Sequence, residues 1–433
     1  MTGDNIIPQR FPSVLIDRFA CVMERHLADM TIQMEMIFDH RLDLDRLRRA
    51  LRLALDAEPV LGCRFVDRLP ELHWQRLPHI DHELLELAED LERFSAFRTR
   101  KVNPFEGPQL EAAVLREGEG DRLLIKLSHL VGDAGGIKEA VELIGDIYNR
   151  LEHDPGYMPR ANCSGSRCMR QVVKKIPWHA YPRILRNAMQ ELMSNGLPSN
   201  TFALPAPNGP REGLDYITAD LPDERVARIA AYGRSFGASL NDILIAAFYW
   251  AAVDTGEWDG RKKLRLMTTV DLRRWYIPEG RGESIANLST FEFVNLGRDL
   301  GNDFDDTLKK ISRLTGRRKN SWIGLNMSIV LPILLALPHG WLMKALEKVA
   351  SAFIMNGKFM PALTNMGPLE PDRIRFGEPP RRAWLLAPAS YPPNFVAGVT
   401  GYRGSLTLSA GVYPATRKTA EKMFSRILDE LPG

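Results

Sequence analysis

The stretch 123–144, "LLIKLSHLVGDAGGIKEAVELI", changes character in the middle. Its first half has the unbroken apolar texture of a buried strand, and its second half has the spacing of an amphipathic helix. Leu123, Ile125, Leu127 and His129 fall on one strand face, and Leu124, Lys126 and Ser128 on the other. His129 therefore emerges at the end of a buried face, and Asp133 follows it by four residues at the helix start. Glycines 135 and 136 permit a tight strand-to-helix turn and leave backbone N–H groups open to a ligand. That is suitable geometry for a general base. The plain alternative is Asp133 as a helix N-cap and His129 as a packed histidine.

Working outward, residues 31–38, "TIQMEMIF", read as a strand, and 42–65 as a helix followed by a strand. Leu44, Leu47, Leu51 and Leu55 recur at three- and four-residue intervals, so this helix lays a leucine stripe on a sheet. A second helix is expected over 83–97, then two strands joined by a Gly/Glu turn, and a helix from about residue 136 to 151. Prolines recur from 152 to 213, with room for a helix over 171–194. The chain then resumes with a strand at 214–221, two helices, strands around 263–274 and 284–297, a strand with a hairpin near the end, and a final helix at 415–430. This order indicates a layered α/β fold with an N-terminal lobe over 1–160, a connection over 161–213 and a C-terminal lobe over 214–433.

With Lys+Arg 57 against Asp+Glu 54, the net charge of +3 offers no field to attract nucleic acid. The clusters "RKK" (261–263) and "GRRKN" (316–320) read as solvated loops. Four cysteines without metal-ligand or disulfide spacing fit reduced thiols, and no metal site is expected. Asp4 and the lack of a long apolar run argue against a secretory signal, so a cytoplasmic location is expected. Residues 320–343 carry no Asp, Glu, Lys or Arg but are broken by two prolines and two glycines. A buried helix, a tunnel lining or a helix lying on a membrane surface all suit them better than a span.

Several stretches together are similar to one family. "SHLVGDAGG" resembles the HHxxxDG motif of thioester-dependent acyltransferases, a superfamily of peptide-synthetase condensation domains, wax ester synthase/diacylglycerol acyltransferases, polyketide-associated acyltransferases and alcohol acetyltransferases. "SLNDILIAAFYWA" (239–251) resembles the Asn-Asp helix of the wax ester synthase branch, carried here by Asn241 and Asp242. "TTVDLRRW" (268–275) is similar to the strand ending in a functional arginine, here Arg273. "ESIANLSTFEFVNL" and "TNMGPL" resemble later strand and latch segments, and the matches run in family order from about residue 30 to 413. Two positions depart: Ser128 stands for the first histidine, and Ala134 for the glycine after the aspartate.

The resemblance implies two chloramphenicol-acetyltransferase-like α/β sandwich lobes in a V with a central channel and His129 near its middle. It implies acyl transfer from acyl-CoA or a phosphopantetheine-carrier thioester to a hydroxyl or amine, with no permanently bound cofactor. His129 is the expected base, and Asp133 the structural aspartate paired with Arg273. Backbone N–H groups around Gly135 and Gly136 are the expected oxyanion contacts, and Asn241 and Asp242 are substrate-side candidates or simple helix caps. Apolar stretches 243–250 and 325–355, with Met327, Met343 and Met355, read as tunnel lining or as ordinary core. The partners implied are the thioester, its acceptor and an acyl carrier protein. A condensation enzyme acting on carrier-bound substrates and a silent scaffold, favoured by Ser128 and Ala134, are the competing readings. Acyl length, acceptor and oligomeric state stay open.

Overall fold

A computed structural model describes residues 7–68, 72–78, 84–194, 201–205, 207–326, 328, 340–341, 344, 348, 358–359 and 362–432. Two mixed sheets organise the chain. The first has five strands in the order Arg382–Leu386, Thr31–Phe38, Gly120–Ser128, Leu110–Glu117 and Leu85–Ala88. All neighbours are antiparallel except the last pair, which is parallel. The second has six strands in the order Asp215–Leu221, Ser405–Val412, Ala397–Tyr402, Ala362–Leu369, Leu264–Asp271 and Ser289–Gly297.

The helices Leu44–Ala57 and Ala134–His153 cover one face of the first sheet, where Leu47, Leu51, Leu55, Ile137, Val141 and Ile144 join Ile32, Met34, Met36, Leu123, Ile125 and Leu127 in one core. The leucine stripe thus meets the strand face that ends at His129. The opposite face is covered too: Phe94 and Phe97 of helix Leu91–Thr99 pack on Ala113, Leu115 and Leu124. Lys126, fully buried on that face, donates from Nζ to Phe97 O at 3.0 Å and Arg100 O at 2.7 Å. This double cover is why Thr31–Phe38 is buried at every position. In the second lobe, the nearly all-apolar helix Leu240–Thr255 is buried between the sheet and helices Phe304–Lys319 and Pro414–Glu430.

Two expectations are corrected. The single helix over 83–97 is a strand, Leu85–Ala88, then a helix, Leu91–Thr99, opened by Asp90 accepting from Arg93 N–H. The carboxylate at 90 starts a new helix and so cannot sit inside one. The strand Arg382–Leu386, read within the C-terminal lobe, crosses over and pairs with Thr31–Phe38, completing the first sheet. The interlobe helix over 171–194 appears as a short turn, Arg170–Val173, and a longer helix, Tyr181–Ser194, separated by Pro177. Most of the lining expected at 325–355, including Met327, Met343 and Met355, lies outside the described residues. Among the described residues no single helix is long and apolar enough to cross a membrane.

Candidate active site

Ser128 ends its strand opposite Thr31, and its Oγ accepts from Leu130 N–H at 3.3 Å, closing the turn that presents His129. The side chain standing for the family's first histidine therefore serves the turn. The backbone of His129 is held on both sides: its N–H donates to Met30 O at 2.6 Å, and its carbonyl accepts from Asn287 Nδ2 at 2.8 Å. The ring is half-buried, with Nδ1 enclosed and without a hydrogen-bond partner in the protein.

Asp133 is the N-cap of helix Ala134–His153, its Oδ1 accepting from Gly136 N–H at 2.9 Å. It is also the centre of an interlobe ion pair. Arg273 Nη1 lies 2.9 Å from Oδ1 and 3.1 Å from Oδ2, and Leu288 N–H donates to Oδ2 at 2.7 Å. Both side chains are almost completely buried, at 2% exposure each. Burial by itself would raise the Asp133 carboxyl, but the Arg273 charge, the hydrogen bonds from Ser289 and Gly136, and His129 hold it below the usual carboxylate range. Asp133 is thus held as an anion at neutral pH, with both oxygens engaged by partners.

Arg273 sits in a short helix, Leu272–Tyr276, that caps the strand Leu264–Asp271. All three of its nitrogens are engaged: Nε to Glu139 at 2.9 Å, Nη2 to Ala286 O at 2.7 Å, and Nη1 to Asp133, with Asp271 at 3.4 Å. Burial would lower its pKa, yet the carboxylates of Asp133, Glu139 and Asp271 raise it. The guanidinium lies so close to Gly135 that a Cβ there would come within 2.6 Å of Nη1. Gly135 therefore supplies clearance for the arginine. Gly136 N–H, expected to be open to an oxyanion, is committed to Asp133, and this corrects that expectation: a capped helix start has already spent its third N–H.

The two remaining candidates separate. Asn241 Oδ1 accepts from Asn365 Nδ2 at 3.0 Å, and Asn365 sits at the bulge of strand Ala362–Leu369. The carbonyls of Met366 and Pro368 in that bulge accept from Lys138 on the motif helix at 2.5 and 2.9 Å, so Asn241 is two contacts from the motif. Asp242 is instead a local cap. It accepts from Ser239 N–H at 2.8 Å, Ser239 Oγ at 2.7 Å and Thr315 Oγ1 at 2.7 Å, all in its own lobe.

The sequence reading places residues 285–288 in a strand, but that strand begins at Ser289, and the residues before it serve the turn. Ile285 packs on Gly132 and Gly136, Ala286 accepts from Arg273, Asn287 donates to the carbonyls of His129 and Leu130, and Leu288 donates to Asp133. The groups at Ala286 and Leu288 are backbone and leave no side-chain signature, and the Asn287 side chain meets backbone carbonyls, which pairwise sequence patterns do not mark. Glu139 had one faint signal, its i,i+3 position relative to Gly136 on the same helix face. A polar cavity of about 160 Å³ lies beside this network, lined by Glu58, Glu139, Glu142, Asp146, Arg281 and Ser284 among others.

No family model matches the chain. Two uncharacterized Mycobacterium tuberculosis proteins, from strains CDC 1551 / Oshkosh and ATCC 25618 / H37Rv, are each 24% identical over 348 residues, covering 77% of this chain and 72% of theirs. Among solved structures, the first condensation domain of the CDA synthetase superposes with TM-score 0.66 at 14% identity, over 98% of this chain and 97% of that one. The TRI3 trichothecene 15-O-acetyltransferase of Fusarium sporotrichioides gives 0.68 at 12% over 98% and 95%. Polyketide synthase associated protein 5 of M. tuberculosis gives 0.60 at 14% over 94% and 95%. The chain therefore has the fold of this condensation domain and this acetyltransferase.

Proposed function

We propose that the protein transfers an acyl group from a thioester, on CoA or on a carrier protein, to a hydroxyl or amine acceptor, with His129 as general base. The observation that carries this reading is the division of labour at the turn. Asp133 is locked by Arg273, Gly136 and Leu288, while His129, pinned through its backbone by Met30 and Asn287, keeps a half-exposed ring. A neutral imidazole takes the acceptor proton as oxygen or nitrogen attacks the thioester carbonyl. The resulting imidazolium then protonates the departing thiolate as the tetrahedral intermediate collapses. The C–S bond breaks as the ester or amide bond forms, and the proton count closes without an acyl-enzyme.

The ion pair acts on this chemistry by orientation. It fixes the start of the motif helix to the second lobe, so the base keeps its place relative to groups contributed by residues 284–288. The test is thiol release from a panel of acyl-CoAs of increasing chain length with mixed alcohol and amine acceptors, followed by the same panel on a phosphopantetheinylated carrier protein. Acceptor-dependent release that disappears in His129→Ala is the expected result. Release that persists in the variant, or no release from either donor class, overturns the reading and favours a silent member of the fold.

A further inference from the structure

The interlobe segment carries a charge pattern unlike the rest of the chain. From Pro155 through Gln190 there is no Asp or Glu, while Arg160, Arg167, Arg170, Lys174, Lys175, Arg183 and Arg186 all fall there, in a protein whose net charge is only +3. Arg167 is paired with buried Asp17 and Lys174 with Glu283, but Arg170, Lys175, Arg183 and Arg186 stand in solvent.

The same segment breaks the usual apolar distribution. Helix Tyr181–Ser194 already buries one face: Ile184, with Ala180 just before the helix, joins Val270, Leu272 and Leu325 in a buried cluster, and Ala188 is buried too. It is held there by Arg183 and Asn187, which donate to Ser321. Yet Trp178 is 84% exposed, Leu185 49% and Met189 50%. Leu185 and Met189, four residues apart, share one exposed face of the helix, and Trp178 lies in the short turn Trp178–Ala180 that leads into it. Core packing does not need them, and exposure of three large apolar side chains within twelve residues has a cost in water.

We propose that this outward surface, Trp178, Leu185 and Met189 with Lys175 and Arg186 beside them, docks the protein on an anionic lipid surface. An amphipathic helix with Trp and Leu on one side and Lys/Arg beside them lies in the headgroup region, where the long cationic stems reach phosphate while the apolar side chains enter the acyl boundary. The intermixing favours lipid over a folded partner. Protein interfaces gather apolar groups in a core depleted of lysine, whereas here cations alternate with apolar side chains along the helix. The proposal does not depend on the reaction at His129.

The full-length protein is mixed with vesicles of phosphatidylcholine alone or of phosphatidylcholine with phosphatidylglycerol and sedimented. Wild type is expected to sediment with the anionic vesicles, to be released by salt, and to stay in solution with the neutral ones. Lys175→Gln/Arg186→Gln is expected to weaken apparent binding by tenfold or more, at about fivefold per charge. The triple variant Trp178→Ser/Leu185→Ser/Met189→Ser is expected to lose most of its sedimentation with the anionic vesicles at low salt while unfolding at the wild-type temperature, and His129→Ala binds like wild type. Failure of wild type to sediment, or sedimentation indifferent to both variants, overturns the proposal. So does capture of an acidic carrier protein through these residues in a protein that ignores vesicles.

Discussion

Asp133 and Asp242 each serve the first turn of a helix, and they have different fates. At Ala134–His153 the carboxylate of Asp133 satisfies its own helix and also receives a buried guanidinium and a backbone N–H from the other lobe. At Leu240–Thr255 the carboxylate of Asp242 closes a capping box with Ser239 and takes one hydroxyl from Thr315, with Lys319 at 3.9 Å. Both caps look alike in a one-dimensional reading, since a short acidic side chain before an apolar helix is favoured wherever N–H groups lack partners. The difference lies in what arrives from far along the chain. A cap satisfied within its own lobe stabilises a helix, and a cap shared between lobes couples the helix to a second surface and so can hold a reacting group in register.

The sharpest break of the comparison is catalytic. His129→Ala should lower acceptor-dependent thiol release by about 10²–10⁴-fold while leaving urea unfolding nearly unchanged, because the ring is half-exposed and its Nδ1 has no partner to lose. A large loss of stability instead would recast His129 as a packing residue. Removing the arginine comes next. Arg273→Met leaves Asp133 and Glu139 buried without their cation, and a loss of about 3–5 kcal/mol in chemical denaturation is expected. Adding Asp133→Asn should return part of that loss; strict additivity in the double-variant cycle would show that the pair is not coupled.

The same pair predicts a pH response. The folded carboxyl of Asp133 lies below its unfolded value near 4, so its contribution is complete above that value and is lost as pH falls through the folded pKa. Wild type should therefore lose stability on the acid limb that Asp133→Asn, already weaker at neutral pH, does not lose again; parallel stability curves for the two would contradict it. Gly135→Ala is a subtler probe, since a methyl group 2.6 Å from Nη1 must displace the guanidinium, at about 1–3 kcal/mol and with a fall in thiol release. The smallest effect belongs to the other cap. Asp242→Ala should cost about 1–2 kcal/mol of stability and leave turnover close to wild type, and a loss of turnover without a loss of stability would place Asp242 at the substrate.

What was legible in the sequence followed from short-range rules. The strand-turn-helix at 120–153, the leucine stripe at 44–57 and the terminal hairpin with its helix were readable because hydrophobic period and capping residues are local properties. The partnership of Asp133 with Arg273, 140 residues apart, was reached only through a family resemblance, and the structure places the two at 2.9 Å. The strand at 85–88 was missed because "ELLELAED" has apolar spacing that suits a helix as well as a strand; pairing with Leu110–Glu117 decides it. Gly136 was misread because an open N–H and a capped one are identical in sequence.

By itself, then, the sequence determined the alternation of strands and helices, the position of the histidine at the end of a buried strand, and the presence of a carboxylate at the following helix start. Only the tertiary structure decided which carboxylate is shared between lobes, that Arg382–Leu386 leaves its neighbours to complete the first sheet, and that the Asn287 side chain and the backbone of Ala286 and Leu288 clamp the turn. The physical reason is range. Periodicity and capping are set by residues within a few positions of each other, whereas a buried guanidinium or a crossover strand finds its partner only when the whole chain has closed around it.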